Sequence, residues 1–251
     1  MRNMRVITNS ERTSFACERR WAFGYLAGLT TGDSAAPLRQ GSLLHRMLAA
    51  LYTSIMLKRD PLTIEELWRE VVEPWLEQRT TWLDEQRMHG AEAGSEWIED
   101  AQARDREIAS ESRHMVAGYI DHWLAQDLDR WEILGVEEQV ARVIINPVNG
   151  KPLTDVFTMP DGKRIRRRWV YGGAVDLRIW DRMLGGQWLV EHKSTAETDL
   201  SEYCRKLHWD PQIRGYPWAM LRPAPDLLDD HRPAEDLRGV IYNVLRKKVP
   251  R

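Results

Sequence analysis

The chain has 251 residues, with 36 Lys and Arg against 38 Asp and Glu and a formal net charge of −2. That length allows one large domain or two small ones, and an apolar share of 43% excludes overall disorder. A near-neutral balance excludes a basic coat over the whole surface, so any nucleic-acid surface must be local.

In chain order, Thr13 to Leu26 reads as a helix carrying Phe15, Trp21, Phe23, Tyr25 and Leu26, closed by the Gly/Asp/Pro cluster around Thr31 to Pro37. Leu43 to Leu57 is apolar almost all round, as a buried helix is. Within it, Met47 to Leu57 is the longest uncharged apolar-rich run; its 11 residues fall far short of the ~20 that cross a bilayer. Thr63-Ile64-Glu65-Glu66 is a capping box opening a helix toward Arg87, with Pro74 placed to kink or split it. Ser95 to Leu128 is a second long helical stretch.

Near Trp131 the pattern turns β. Val136 to Ile145 is β-branched, Pro147 to Gly150 is a turn, and Val156 to Thr158 pairs across Met159-Pro160-Asp161-Gly162 with the run from Lys163. Tyr171 to Trp180 and Trp188 to Lys193 are two further strands joined by a loop with Gly185-Gly186. Leu200 to Leu221 returns to helix, and Gly239 to Leu245 is a last strand. The order predicts an α/β fold: a central mixed sheet flanked by helices. Its divisions are an N-terminal helical region, 1–130, packed on a sheet-bearing core, 131–251.

Charged groups inside otherwise apolar strands are costly unless paired or bound to metal. Asp176 lies in Gly172-Gly173-Ala174-Val175-Asp176-Leu177, and Glu191 and Lys193 close Leu189-Val190-Glu191-His192-Lys193. Residues 191 and 193 share a strand face, and an antiparallel partner strand can set Asp176 opposite them. Two converging carboxylates suit a hard divalent cation, and a neighbouring lysine can orient a water or offset charge on a phosphate. Alone the signal is weak, because about one Glu-x-Lys arises by chance in 251 positions. Asp161-Gly162-Lys163 also fits acid-x-Lys, but its context is a turn. Downstream, Pro211 suits a first helical turn and puts Gln212 and Tyr216 on one face. His45, alone on an apolar helix, reads from its surroundings as a core histidine.

Together Ser14 to Phe23, Gly41 through His45, Asp176, Glu191-His192-Lys193, and Gln212 with Tyr216 resemble the PD-(D/E)XK nuclease superfamily. The resemblance is to its RecB-like exonuclease branch, which includes AddB-type and CRISPR-associated nucleases, and it spans about residues 13 to 245. It implies a restriction-endonuclease-like core, Mg²⁺ or Mn²⁺, and cleavage of DNA at single- or double-stranded ends. By it, His45, Asp176, Glu191 and the His192 carbonyl become metal ligands, Lys193 the catalytic lysine, and Gln212 and Tyr216 its supports, Tyr216 also touching DNA. Recombination, repair or phage DNA metabolism, with a recombination or helicase partner, is the implied setting. Glu137 falls where members often have an acid on the first strand; a strand-edge charge is the equal alternative.

The chain departs from that branch in its cysteines. Cys17 stands where cluster-bearing members have an iron–sulfur ligand, but a cubane wants four thiolates and only Cys204 remains. A buried, inert Cys17 and no cluster are therefore expected. Two cysteines also fit a reducing compartment, and the charged start Met1 to Arg5 leads into no apolar signal segment, so a cytoplasmic, membrane-free protein is expected. Arg166, Arg167 and Arg168, ahead of the Asp176 strand, are the candidate DNA contacts. A rival reading keeps the fold but not the chemistry: a non-cleaving DNA-binding or assembly subunit.

Overall fold

The computed structural model describes residues 4–29, 33–88, 95–159, 161–221 and 236–247. A short strand β1 (Met4–Ile7) precedes α1 (Asn9–Ser14), α2 (Glu18–Trp21), α3 (Ala36–Met56), α4 (Ile64–Leu67), α5 (Glu73–Met88), α6 (Ser95–Tyr119) and α7 (Ala125–Arg130). The expected Thr13–Leu26 helix is two pieces. Thr8 caps the Glu11 N–H and starts α1 at Asn9, and the chain then turns at Cys17, which is extended. Phe15, Phe23 and Leu26 of this segment are exposed. The Thr63 capping box forms: Thr63 Oγ1 accepts from the Glu66 N–H at 3.2 Å, and Glu66 Oε2 accepts from the Thr63 N–H at 2.8 Å. Pro74 lacks an N–H, and the widened π turn at Trp68–Val72 absorbs that loss between α4 and α5.

The strands are β2 (Trp131–Val143), β3 (Thr154–Thr158), β4 (Arg164–Asp181), β5 (Gln187–Thr195) and β6 (Leu237–Arg246). Pro160 of the expected β3–β4 turn lies outside the described residues. β4 organises the mixed six-stranded sheet. One edge pairs antiparallel with β3 and then β2; the other pairs parallel with β1 and then antiparallel with β5, to which β6 adds in parallel. Between β5 and β6 lie α8 (Leu200–Leu207) and α9 (Gln212–Leu221), split where Asp210 Oδ1 accepts from the Gln212 N–H at 2.9 Å.

Both sheet faces are covered. On one, fully buried Leu43, Leu44, Met47, Leu48 and Leu51 of α3 join residues of α6 against Leu177, Ile179 and Val190. Five such side chains contribute on the order of 10 kcal/mol of gross burial, which fixes α3 and therefore His45. On the other face Val140, Tyr171, Val175 and Leu189 pack on Tyr216, Ala219 and Met220 of α9.

Side chains two apart on a strand share a face, yet Val175 and Leu177 belong to opposite cores, and so do Val136 and Val140. Both strands change faces at facing residues, Glu137 on β2 and Asp176 on β4, which fall between the pairs Val136–Leu177 and Glu138–Val175. Glu137 makes the change by adopting a left-handed backbone, φ 49°, a conformation that costs a non-glycine residue about 1–2 kcal/mol.

Candidate active site

The face change sets Asp176 where both layers reach it. From α3, His45 Nδ1 lies 2.9 Å from Asp176 Oδ1; from β5, the backbone N–H of His192 donates to Asp176 Oδ2 at 2.6 Å. One step past the last β4–β5 pair, Leu177–Val190, stand Asp176 and Glu191. Alternation then sends Glu191 and Lys193 toward α9, while the His192 ring turns to the α3 layer and stacks on Tyr52, centroids 5.8 Å apart at 16°.

Lys193 is tethered on the α9 side. Its ammonium donates to Gln212 Oε1 and lies 3.4 Å from Asp210 Oδ2, while Gln212 Nε2 donates to the Tyr216 hydroxyl at 3.2 Å. The i,i+4 spacing of Gln212 and Tyr216 makes that relay possible. Ligand atoms of His45, Glu137 and Asp176 all lie within 4.8 Å of one another.

The charges are unbalanced. Burial, then the neighbouring Asp176 charge, push the Glu191 carboxyl up to about 9, and its Oε1 is buried without a hydrogen-bond partner. Burial opposes a lowered Asp176, but the hydrogen bond and charge of His45 outweigh it and hold that carboxyl below its usual range. Burial likewise opposes the His45 imidazolium, and Asp176 and Glu137 more than offset it, so the ring is raised above 6.5. Burial drives the His192 ring down to about 4, leaving it neutral. An acid-rich cluster with one orphaned, buried carboxylate oxygen is a donor set that a divalent cation fits.

A family model for the PD-(D/E)XK nuclease superfamily matches residues 12–250. The chain belongs to that superfamily. Membership implies a nuclease-type hydrolase that depends on a divalent metal and binds DNA, and the mixed sheet with flanking helices agrees with its restriction-endonuclease-like core. Comparison with curated proteins gives no match. Among the described residues, no helix is long and apolar enough to cross a membrane.

Of the residues the sequence singled out, His45, Asp176, Glu191, His192, Lys193, Gln212 and Tyr216 come together in this superfamily fold. The three arginines do not join them. Arg166 stands ten residues before Asp176 on the same strand, ~33 Å at the usual rise. Arg167 makes a two-point contact with Asp155 at 2.6 and 3.1 Å and lies over Phe157, leaving Arg166 the exposed one of the pair. Asp161-Gly162-Lys163 is an exposed turn in which Asp161 accepts from the Lys163 N–H. Cys17 corrects an expectation: it is exposed, not buried, because it sits at the extended turn ahead of α2.

Two contacts escaped the sequence reading. Asp210, not singled out in the sequence, accepts from the Gln212 N–H and lies 3.4 Å from the Lys193 ammonium. Tyr52 reads as core and also supports His192. Its i+7 spacing from His45, two helical turns on, was the available signal.

Proposed function

We propose that the chain is a metal-dependent DNA nuclease of the RecB-like exonuclease branch, acting on free single- or double-stranded ends. One observation carries the reading: His45, Glu137 and Asp176 bring ligand atoms within 4.8 Å of one another, and the neighbouring strand β5 carries Lys193 and Glu191, whose buried Oε1 has no hydrogen-bond partner. His45, Asp176, Glu191 and the His192 carbonyl would hold Mg²⁺ or Mn²⁺, with Glu137 beside them. Bound there, the ion supplies Lewis acidity and lowers the pKa of a bound water.

The protein's own groups do the rest. Asp176 is held by the His45 ring on one oxygen and the His192 N–H on the other, so its carboxylate cannot swing away. Gln212, steadied by Tyr216, keeps the Lys193 ammonium beside the acids, where it can donate to the attacking water or to a phosphate oxygen. Arg166, about ten base steps away at 3.4 Å per step, suits a remote phosphate contact on a duplex. The branch resemblance supports a setting in recombination, repair or phage DNA metabolism beside a helicase or recombination partner.

End-labelled single- and double-stranded DNA, circular DNA and RNA, incubated with Mg²⁺, Mn²⁺ or EDTA, test the reading. Metal-dependent shortening of linear DNA is expected, with circles spared. Asp176→Ala and Lys193→Ala should each lose at least about 10²-fold in rate, the equivalent of ~3 kcal/mol. Wild-type turnover in Asp176→Ala would refute the site, and cut circles would refute the exonuclease mode.

A further inference from the structure

A cleft of about 610 Å³ opens at the acid cluster, lined by one flank of α3 and by Glu137 of β2. The flank presents Gly41, Ser42, His45, Arg46 and Ala49, the i, i+4, i+8 track of Gly41, His45 and Ala49 with its neighbours Ser42 and Arg46. Two features of this flank have no structural explanation.

The first is Arg46. It is exposed, and it has no hydrogen-bond or ion-pair partner among the described residues. Other cations near the site are committed: Lys193 to Gln212 and Asp210, and Arg178 to both oxygens of Glu138 at 2.7 and 2.9 Å. Among the described residues Arg46 is the one guanidinium in the cleft lining, next in sequence to His45 on α3. The second is Gly41. Glycine weakens a helix interior, and a Cβ added here would meet nothing within 4 Å, so packing does not require it. The open space lies over the cleft.

We propose that this flank of α3 is a subsite for a DNA phosphate adjoining the scissile one, held by the Arg46 guanidinium, with Gly41 leaving room for the sugar–phosphate backbone. The proposal rests on the nuclease reading above. A polyanion entering a cleft lined by Glu137, with Asp176 next to the lining residue His45, needs a compensating cation, and a guanidinium matches phosphate with two parallel hydrogen bonds. The Ser42 hydroxyl, one turn before Arg46, is a second donor on the same flank.

Cleavage in Mg²⁺ of an oligonucleotide carrying a single neutral methylphosphonate, moved one position at a time, tests this. Arg46→Ala should cleave the unmodified strand about 10- to 100-fold less efficiently, as expected on losing a charge-assisted contact. At one position next to the cleaved bond, methylphosphonate should slow wild type by a similar factor and leave Arg46→Ala unaffected. Gly41→Leu, which adds a good helix former into open space, should keep its melting temperature and bind DNA at least tenfold more weakly. Equal cleavage by Arg46→Ala and wild type, or equal penalties in both at every position, would overturn the subsite while leaving the nuclease reading intact. No cleavage by wild type with any divalent metal would remove both.

Discussion

Glu191 gives the most demanding test, because its carboxyl is buried beside another acid and held up at about 9 against an ordinary 4.5. Below about pH 4.5 folded and unfolded chains both carry this proton, and the group imposes no penalty. Between 4.5 and 9 folding must take up a proton, so the metal-free protein loses about 1.4 kcal/mol per pH unit over that window. At pH 7 the loss is about 3 kcal/mol. Glu191→Gln has nearly the same shape and cannot titrate. In EDTA it should exceed wild type in unfolding free energy by about 3 kcal/mol at pH 7 and by less than 1 kcal/mol at pH 5, read from urea unfolding. His45 and Asp176 are present in both proteins, so the difference curve reports position 191 together with its interaction with the Asp176 charge. Saturating Mn²⁺ should reverse the order, because the ion binds the carboxylate form and stabilises only the folded wild type. Binding at pH 7 should release at least about one proton, from Glu191 and from the His45 imidazolium where it is charged, measurable by titration calorimetry in buffers of different ionisation enthalpy. A Gln variant no more stable than wild type at pH 7 in EDTA, or a difference that ignores pH, would refute the reasoning.

The other tests separate roles that a rate alone confuses. His45 is one-third exposed on its side chain, so His45→Ala should change the melting temperature little while raising the Mn²⁺ concentration needed for activity at least tenfold; a lower melting temperature with an unchanged metal requirement would make it a packing residue. Glu137→Gly relieves the left-handed backbone but loosens the unfolded chain, a net gain of roughly 0.5–1 kcal/mol by urea unfolding. Glu137→Asn, which tolerates that backbone, reports the carboxylate alone, and a glycine variant less stable than wild type would count against strain at this position.

Most of the sheet was legible in the sequence because short-range rules govern it, whereas the candidate site residues were gathered by the family resemblance, since Glu-x-Lys alone is a weak signal and His45 alone reads as core. A short apolar run before Glu191 marks β5, i,i+4 spacing pairs Gln212 with Tyr216, and Thr63 with Glu66 spells a helix start. What was illegible depends on contacts far apart in the chain. β1 has four residues, too few to show a period, and only its partner in the middle of β4 makes it a strand. Cys17 was expected to be buried because a free thiol without cluster partners is commonly a core residue, but the aromatic residues around it decorate a broken helix and much of their surface faces solvent. Arg166 to Arg168 looked close to Asp176 because their run leads into its strand, but that strand extends unbroken from Arg164, and its length separates them.

The face change at Glu137 and Asp176 shows why a site of this kind resists reading from pattern alone. Regular alternation would have put Asp176 wholly in one layer, facing His45 or facing the Lys193–Gln212 pair but not both. One residue in a left-handed conformation on β2 breaks the alternation on two strands at once, and the cost falls on the residue that itself contributes a third acid to the cluster. Strain of this size persists where the surroundings over-determine it. Here the α3 core holds Val136 and Leu177 and the α9 core holds Val140 and Val175, on either side of the two facing residues. The irregularity that hides these residues from a periodicity reading is also what accompanies the approach of Glu137 and Asp176 to His45 of the α3 layer.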